Sequence, residues 1–186
     1  MKSGIVAVVL VVLLSITLPA RASSNDETIG KDVAVALPVI AGGITVWRHD
    51  WTGLAQLAVS GIATVGTVYG LKQIVRECRP FAEPCTHNGG NWNSFPSGTS
   101  AVAFVPAQFL WQRYGWEYGL PAYAAAAYVG YSRVESKEHH WWDVVASAAI
   151  SVGYNEIFTT PYRPRGFYSD LSATPDGVYA SLHYRW

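Results

Sequence analysis

At 186 residues, half of them hydrophobic and 14% charged, the chain is long enough to bury one domain core. Thirteen basic residues balance thirteen acidic ones, so there is neither the electrostatic footprint of a nucleic-acid binder nor a polybasic membrane patch. Internal repeats and low-complexity tracts, which would point to a solenoid or a linker, do not occur.

The chain opens like an export signal. Lys2 gives a short positive start, residues 5–18 form an apolar run, and Ala20-Arg21-Ala22 has the small-x-small pattern of a cleavage site. Residues 1–22 are therefore expected to be a signal peptide. The competing reading is an N-terminal membrane anchor, for which the run is short. Residues 23–30 read as a polar leader. Residues 32–47 and 51–75 are apolar enough for two helices. Arg79-Pro80 follows as a break, because proline disfavours helix at the residue before it. The two cysteines, Cys78 and Cys85, close a small loop and are expected to pair if the chain is exported. Residues 81–95, with Pro84, Gly89-Gly90 and three asparagines, read as a loop.

A third helix is expected from Pro96-Ser97-Gly98 to about Tyr114, where Gly115 ends it. A fourth runs over 117–132 and a fifth over 139–159, stopped by Pro161 and Pro164. The last stretch, 178–186, reads as a short strand or a packed extended segment. The expected fold is all-α: a compact bundle of five to six helices over residues 23–165, with an extended C-terminal tail at 166–186.

Residues 51–71 could span a membrane by length, whereas Gln108, Glu117, Asn155 and Glu156 interrupt the later helices. The reading is a bundle in the periplasm or on the extracytoplasmic face, in contact with the inner membrane. The alternative is an integral inner-membrane protein whose active site faces the periplasm. Arg48, Arg113, Arg163 and Arg165 would then lie on the cytoplasmic side, as the positive-inside rule tolerates.

Three segments carry candidate chemistry. Ser132-Arg133 stands before His139-His140-Trp141-Trp142-Asp143. If the chain is helical from Glu138, His139 and Asp143 share a face, and the carboxylate can fix the imidazole as a directed nucleophile. Lys72 and Arg79 are seven apart, two helical turns, and could grip one anion from one face. Ser97 is a natural N-cap, and Gly98 lets backbone amides approach a ligand at a helix N-terminus. Each has an ordinary alternative: a surface ion pair, a basic helix end, a common cap.

Taken together, their order and spacing resemble the type 2 phosphatidic acid phosphatase family, shared with bacterial class A acid phosphatases and vanadium haloperoxidases. That family has a lysine followed by Arg-Pro, then Pro-Ser-Gly-His, then Ser-Arg, five residues, His, three residues and Asp. Lys72 with Arg79-Pro80 fits the first motif, and Ser132-Arg133 with His139 and Asp143 fits the third, over about residues 50–160. The resemblance implies a metal-independent phosphatase with no cofactor. Its substrate would be a phosphomonoester or diphosphate, a lipid phosphate before a small soluble one. Lys72, Arg79 and Arg133 would hold phosphoryl oxygens, with Ser97 and the Gly98 amide completing the cradle. His139 would attack phosphorus to give a phosphohistidine, and Asp143 would orient it. His140, one position off the motif, is expected to be structural or at the rim.

The departure is Thr99, which stands where the family has a histidine expected to protonate the leaving oxygen. Threonine is no general acid near neutral pH, and losing such a group typically costs about 10²–10⁴-fold in rate. Three consequences are open. The leaving group could need little protonation, as in a diphosphate. His87 in the preceding loop could stand in. Or the chain could be a catalytically weak, phosphate-binding relative. The missing second histidine and the short chain argue against a haloperoxidase.

Overall fold

The computed structural model describes residues 24–83, 85, 91–163, 166–174 and 177–185. The expected signal peptide, His87, Arg165 and Pro175-Asp176 lie outside the described residues. Five α-helices are described: α1 (Ser24–Trp47), α2 (Trp51–Val75), α3 (Gly98–Tyr114), α4 (Trp116–Glu135) and α5 (Trp141–Phe158). The helical class is as expected, with two corrections. The polar leader is already helical from Ser24: Asp26 and Glu27 favour the positive end of the helix, and Glu27 pairs with Lys31 one turn on, at 2.5 Å. The tail is a β-hairpin, β1 (Gly166–Thr174) antiparallel to β2 (Gly177–Arg185). Its strands pair with each other along their whole length.

Helix α3 is the axis of the bundle. Ala101, Ala103, Val105, Ala107, Phe109 and Leu110 are buried, and α1, α2, α4 and α5 surround them. Small residues on α3 and α4 allow close approach: Ala122, Ala125 and Ala126 are buried against the same core. Helix α5 meets α3 along a polar stripe that recurs every four residues. The Ser147 hydroxyl donates to the Ser97 carbonyl (2.7 Å), Ser151 to Ala101 (3.4 Å) and the Asn155 amide to Val105 (3.2 Å). Each rung fixes the register of one helix on the other, so Asp143, one turn before Ser147, is carried to the N-terminus of α3. Gln108 and Glu156, which the sequence sets among apolar residues, satisfy each other at 2.8 Å.

The far end of the bundle is held by a buried ion pair. Arg113 donates to both oxygens of Asp50 at 2.8 and 2.6 Å, and Tyr114 donates to the same carboxylate at 2.8 Å. Asp50 also caps α2 through the Gly53 amide at 2.9 Å. Burial pushes its carboxyl pKa up, but the hydrogen bonds from Arg113, Gly53 and Tyr114 outweigh this and hold it below the ordinary 3.8. Asp50→Ala leaves a buried guanidinium uncompensated and is expected to destabilise the fold by about 3–5 kcal/mol in denaturant unfolding. The depressed pKa gives the sign with acid. The carboxylate's contribution is complete above its unfolded pKa and is lost as pH falls through the lowered folded value. Asp50→Asn should flatten that acid limb.

Helices α1 and α2 are long and apolar enough to cross a membrane. Their outward faces carry exposed Val35, Val39, Val59, Ile62 and Val65. A surface of this kind fits membrane association rather than a water-facing bundle.

Candidate active site

The site lies at the bundle end formed by the start of α1, the end of α2, the start of α3, the end of α4 and the start of α5. Helix α4 stops at Glu135, and Lys137 takes a left-handed φ of 57°. The amides of Glu138 and His139 then both donate to the Arg133 carbonyl at 3.1 Å. This turn folds the histidine back beneath the arginine. His139 is therefore not on a helix, contrary to the expectation, because α5 begins only at Trp141 after an extended His140. The pairing with Asp143 survives by another route. Asp143 is the third residue of α5, and its carboxylate reaches back over the helix start.

One oxygen of that carboxylate gathers three groups. Asp143 Oδ2 accepts from the His140 amide at 2.9 Å and from the Ser94 hydroxyl, and lies 3.3 Å from His139 Nδ1. Both His139 and Asp143 are buried. With Nδ1 turned to the carboxylate, Nε2 is the imidazole nitrogen left for a substrate. Burial lowers the His139 pKa below the ordinary 6.5. The carboxylate works against this, and nearby Lys72 and Arg79 reinforce it. The ring is thus held neutral, with a lone pair, at neutral pH.

Lys72, in the last turn of α2, donates to the Asn93 carbonyl at 2.6 Å and the Ser94 carbonyl at 3.2 Å. A Cβ on Gly98 would lie 3.9 Å from Lys72 Cε, so the lysine passes beside the α3 N-terminus. Arg79 does not share a helical face with Lys72. Helix α2 ends at Val75, Arg76 turns left-handed with φ 49°, and Arg79 is brought in by a loop. That loop is tied by Arg79 N to Asn91 O (3.2 Å), Ser94 N to Glu77 O (3.0 Å) and the Cys78–Cys85 disulfide. Arg79 Nε donates to Asn93 Oδ1 at 2.8 Å, and its Nη1 donates to Glu138 Oε2. Arg133 is buried, its Nη2 lies 3.4 Å from the same Glu138 oxygen, and its Nη1 lies 3.7 Å from Glu27 of α1. Among the described residues, Arg133 Nε and Nη1 have no hydrogen-bond partner. Buried guanidinium donors left open in this way suit an anion.

Ser97 is buried and caps α3: its hydroxyl oxygen accepts from the Ser100 amide at 3.4 Å and the Ser100 hydroxyl at 2.9 Å. The cap expectation holds, and it commits Ser97 Oγ to the helix. Thr99 is half-buried in the first turn of α3, next to Gly98. The His140 ring lies among acids, 3.7 Å from Glu77, 3.7 Å from Asp143 and 3.4 Å from Glu83, and stacks on Trp142. Glu77, His140 and Asp143 bring one ligand atom each within 4.8 Å of one another, the grouping that could hold a cation. Sequence reasoning gave no role to Ser94, Asn93, Glu27 or Glu138. Ser94 and Asn93 lie just before the Pro-Ser-Gly motif, which was their one signal.

A helical bundle that gathers two arginines, a lysine and a carboxylate-held histidine at the mouth of a helix N-terminus is the frame of a phosphate-ester hydrolase. The PAP2 superfamily pattern matches residues 53–160, and the chain belongs to that superfamily. Lipid A 4'-phosphatase of Helicobacter pylori is 34% identical over 172 residues, 86% of this chain and 85% of the relative. Lipid A 1-phosphatase of Porphyromonas gingivalis is 35% identical over 99 residues, 48% of this chain but 22% of that protein. The crystal structure of Aquifex aeolicus LpxE superposes with a TM-score of 0.54 at 21% identity, covering 74% of this chain and 87% of that one. At that identity the likeness supports the fold. The chain is a phosphatase of the PAP2 type.

Proposed function

We propose that the protein removes a phosphate from a phosphorylated glycolipid of the lipid A kind, through a phosphohistidine on His139. The observation that carries this is the buried His139–Asp143 pair beside Arg79 and Arg133. His139 Nε2 attacks phosphorus, the P–O bond to the sugar breaks, and the departing sugar oxygen takes its proton from water. Lys72, Arg79 and Arg133 take up the charge on the phosphoryl oxygens. Asp143 accepts the Nδ1 proton's hydrogen bond and stabilises the cationic ring of the intermediate. Water then attacks the phosphohistidine, phosphate leaves, and His139 is regenerated neutral.

The lipid substrate is supported by the relative that matches over most of both chains, and by the surface around the site. Trp141 and Trp142 are more than half exposed at the start of α5, and Phe81 and Trp92 are exposed on the loop beside them. Such a rim suits headgroup depth, where amphipathic rings settle. The same geometry favours the integral inner-membrane reading over the peripheral one, with α1 and α2 in lipid. The disulfide lies one residue before Arg79, which supports a site facing an oxidising compartment, the periplasm.

Thr99 leaves the leaving oxygen without the family's acid. Thr99→His is expected to raise turnover of poor alkyl leaving groups by about tenfold or more, and to change aryl phosphates little. Phosphate release from matched alkyl and aryl substrates checks this. Equal effects on both would mean that leaving-group protonation does not limit the wild type. The substrate itself is tested by loss of phosphate from lipid A, followed by mass spectrometry. Hydrolysis of soluble phosphates alone would contradict the lipid assignment.

A further inference from the structure

Glu138 occupies the place between the two site arginines. One oxygen, Oε2, takes the hydrogen bond from Arg79 Nη1 and lies 3.4 Å from Arg133 Nη2. A phosphoryl oxygen bridging both guanidiniums would need that position. We propose that Glu138 is an internal competing anion: its carboxylate fills the phosphoryl subsite of the empty enzyme, is displaced by substrate, and returns as phosphate leaves. This rests on the phosphate site proposed above.

Three observations favour displacement over a permanent prop. First, both arginines have other holders. Arg79 keeps Asn93 Oδ1 at 2.8 Å, and the Arg133 side chain is held by its burial among the helices. They stay in place when Glu138 swings out. Second, Glu138 satisfies Arg133 poorly. The contact is 3.4 Å, and the buried Nε and Nη1 donors have no hydrogen-bond partner among the described residues. A phosphoryl group has three oxygens to offer where the carboxylate uses one. Third, only the Glu138 side chain has to move. Its amide is fixed to the Arg133 carbonyl at 3.1 Å, and the Lys137 carbonyl accepts from Phe81 N at 3.1 Å. The side chain is a fifth exposed, so water lies within reach of a new rotamer.

The consequence is a site whose phosphate affinity is set by competition. A carboxylate beside a bound phosphate dianion repels it, and the free enzyme has to give up the Glu138–arginine contacts before it binds. Product release is helped by the same contacts re-forming. Glu138 is thus a positioning and specificity residue that acts through Arg79 and Arg133.

The test is inorganic phosphate binding to the full chain in detergent, by calorimetry, for wild type, Glu138→Gln, Glu138→Ala and Arg79→Ala. Glu138→Gln and Glu138→Ala are expected to bind phosphate about tenfold tighter than wild type, the scale of one partly exposed charge contact. Their KM for an aryl phosphate should fall by a similar factor. Arg79→Ala should bind phosphate more weakly. If Arg79→Ala binds weakly while both Glu138 variants bind no tighter than wild type, Glu138 is a prop, and the inference is overturned with the site intact. If Arg79→Ala and wild type bind alike, the phosphate site itself is misplaced, and the inference falls with it.

Discussion

Replacing His139 by alanine is expected to lower phosphate release by about 10⁴-fold or more, because the group that forms the bond to phosphorus is gone. The loss should fall on kcat. Lys72, Arg79 and Arg133 remain, so the full chain should still bind inorganic phosphate. An aryl phosphate is the fair substrate here, since its leaving group needs little protonation and Thr99 then does not obscure the result. Equal phosphate release by wild type and His139→Ala would remove the nucleophile assignment. The pH dependence has a definite sign. The reactive form is the neutral ring, and the folded pKa lies below 6.5. Activity should therefore hold through neutral pH and decline only as pH falls through that lowered value. A decline centred above 6.5 would contradict the neutral, buried imidazole.

Asp143→Asn is the second large effect, an expected fall in kcat of about 10²–10⁴-fold with phosphate binding retained. The amide oxygen can still accept from Ser94 and the His140 amide, so the start of α5 should keep its fold. What is lost is charge. A neutral amide does not stabilise the imidazolium of the intermediate. The substitution also puts an NH₂ where Asp143 Oδ1 now stands, a buried atom with no hydrogen-bond partner among the described residues. Separate measurement of kcat and phosphate affinity decides the matter: a loss of binding without a loss of kcat would make Asp143 structural.

Much of this was legible in the sequence, and the part that was not has physical reasons. The spacing of Lys72, Arg79-Pro80, Ser132-Arg133, His139 and Asp143 identified the phosphatase frame, because a motif records which residues meet. It did not record how. The seven-residue spacing of Lys72 and Arg79 suggests one helical face, yet the helix ends at Val75; His139 is expected on a helix that begins only at Trp141. The left-handed turns at Arg76 and Lys137 do the bringing-in, and neither position is a glycine that would have signalled one. Glu138 was passed over because its meaning lies in a partner 59 residues away. Ser94 was passed over for the same reason, its partner Asp143 being 49 residues on.

The bundle was legible from apolar runs and breaks, and α2 was bounded correctly at both ends. Membrane compatibility was harder to read. Gln108, Asn155 and Glu156 argued against spanning helices as isolated polar residues, yet each has a hydrogen-bond partner inside the bundle. Sequence shows a polar group but not its pairing, and pairing decides its cost in an apolar setting. The C-terminal hairpin was half seen. Residues 178–186 alternate weakly, whereas Gly166–Thr174 sets Phe167, Tyr168 and Leu171 among small and polar residues without alternation and becomes a strand by pairing with β2.

The most direct test of the account is a search for phosphate on the protein during turnover. Wild-type enzyme mixed with substrate, quenched in alkali and digested should yield a peptide phosphorylated at His139, stable in base and lost in acid. The His139→Ala variant should yield none. Steady turnover with no phosphorylated His139 peptide, or with the phosphate on a different residue, would contradict it.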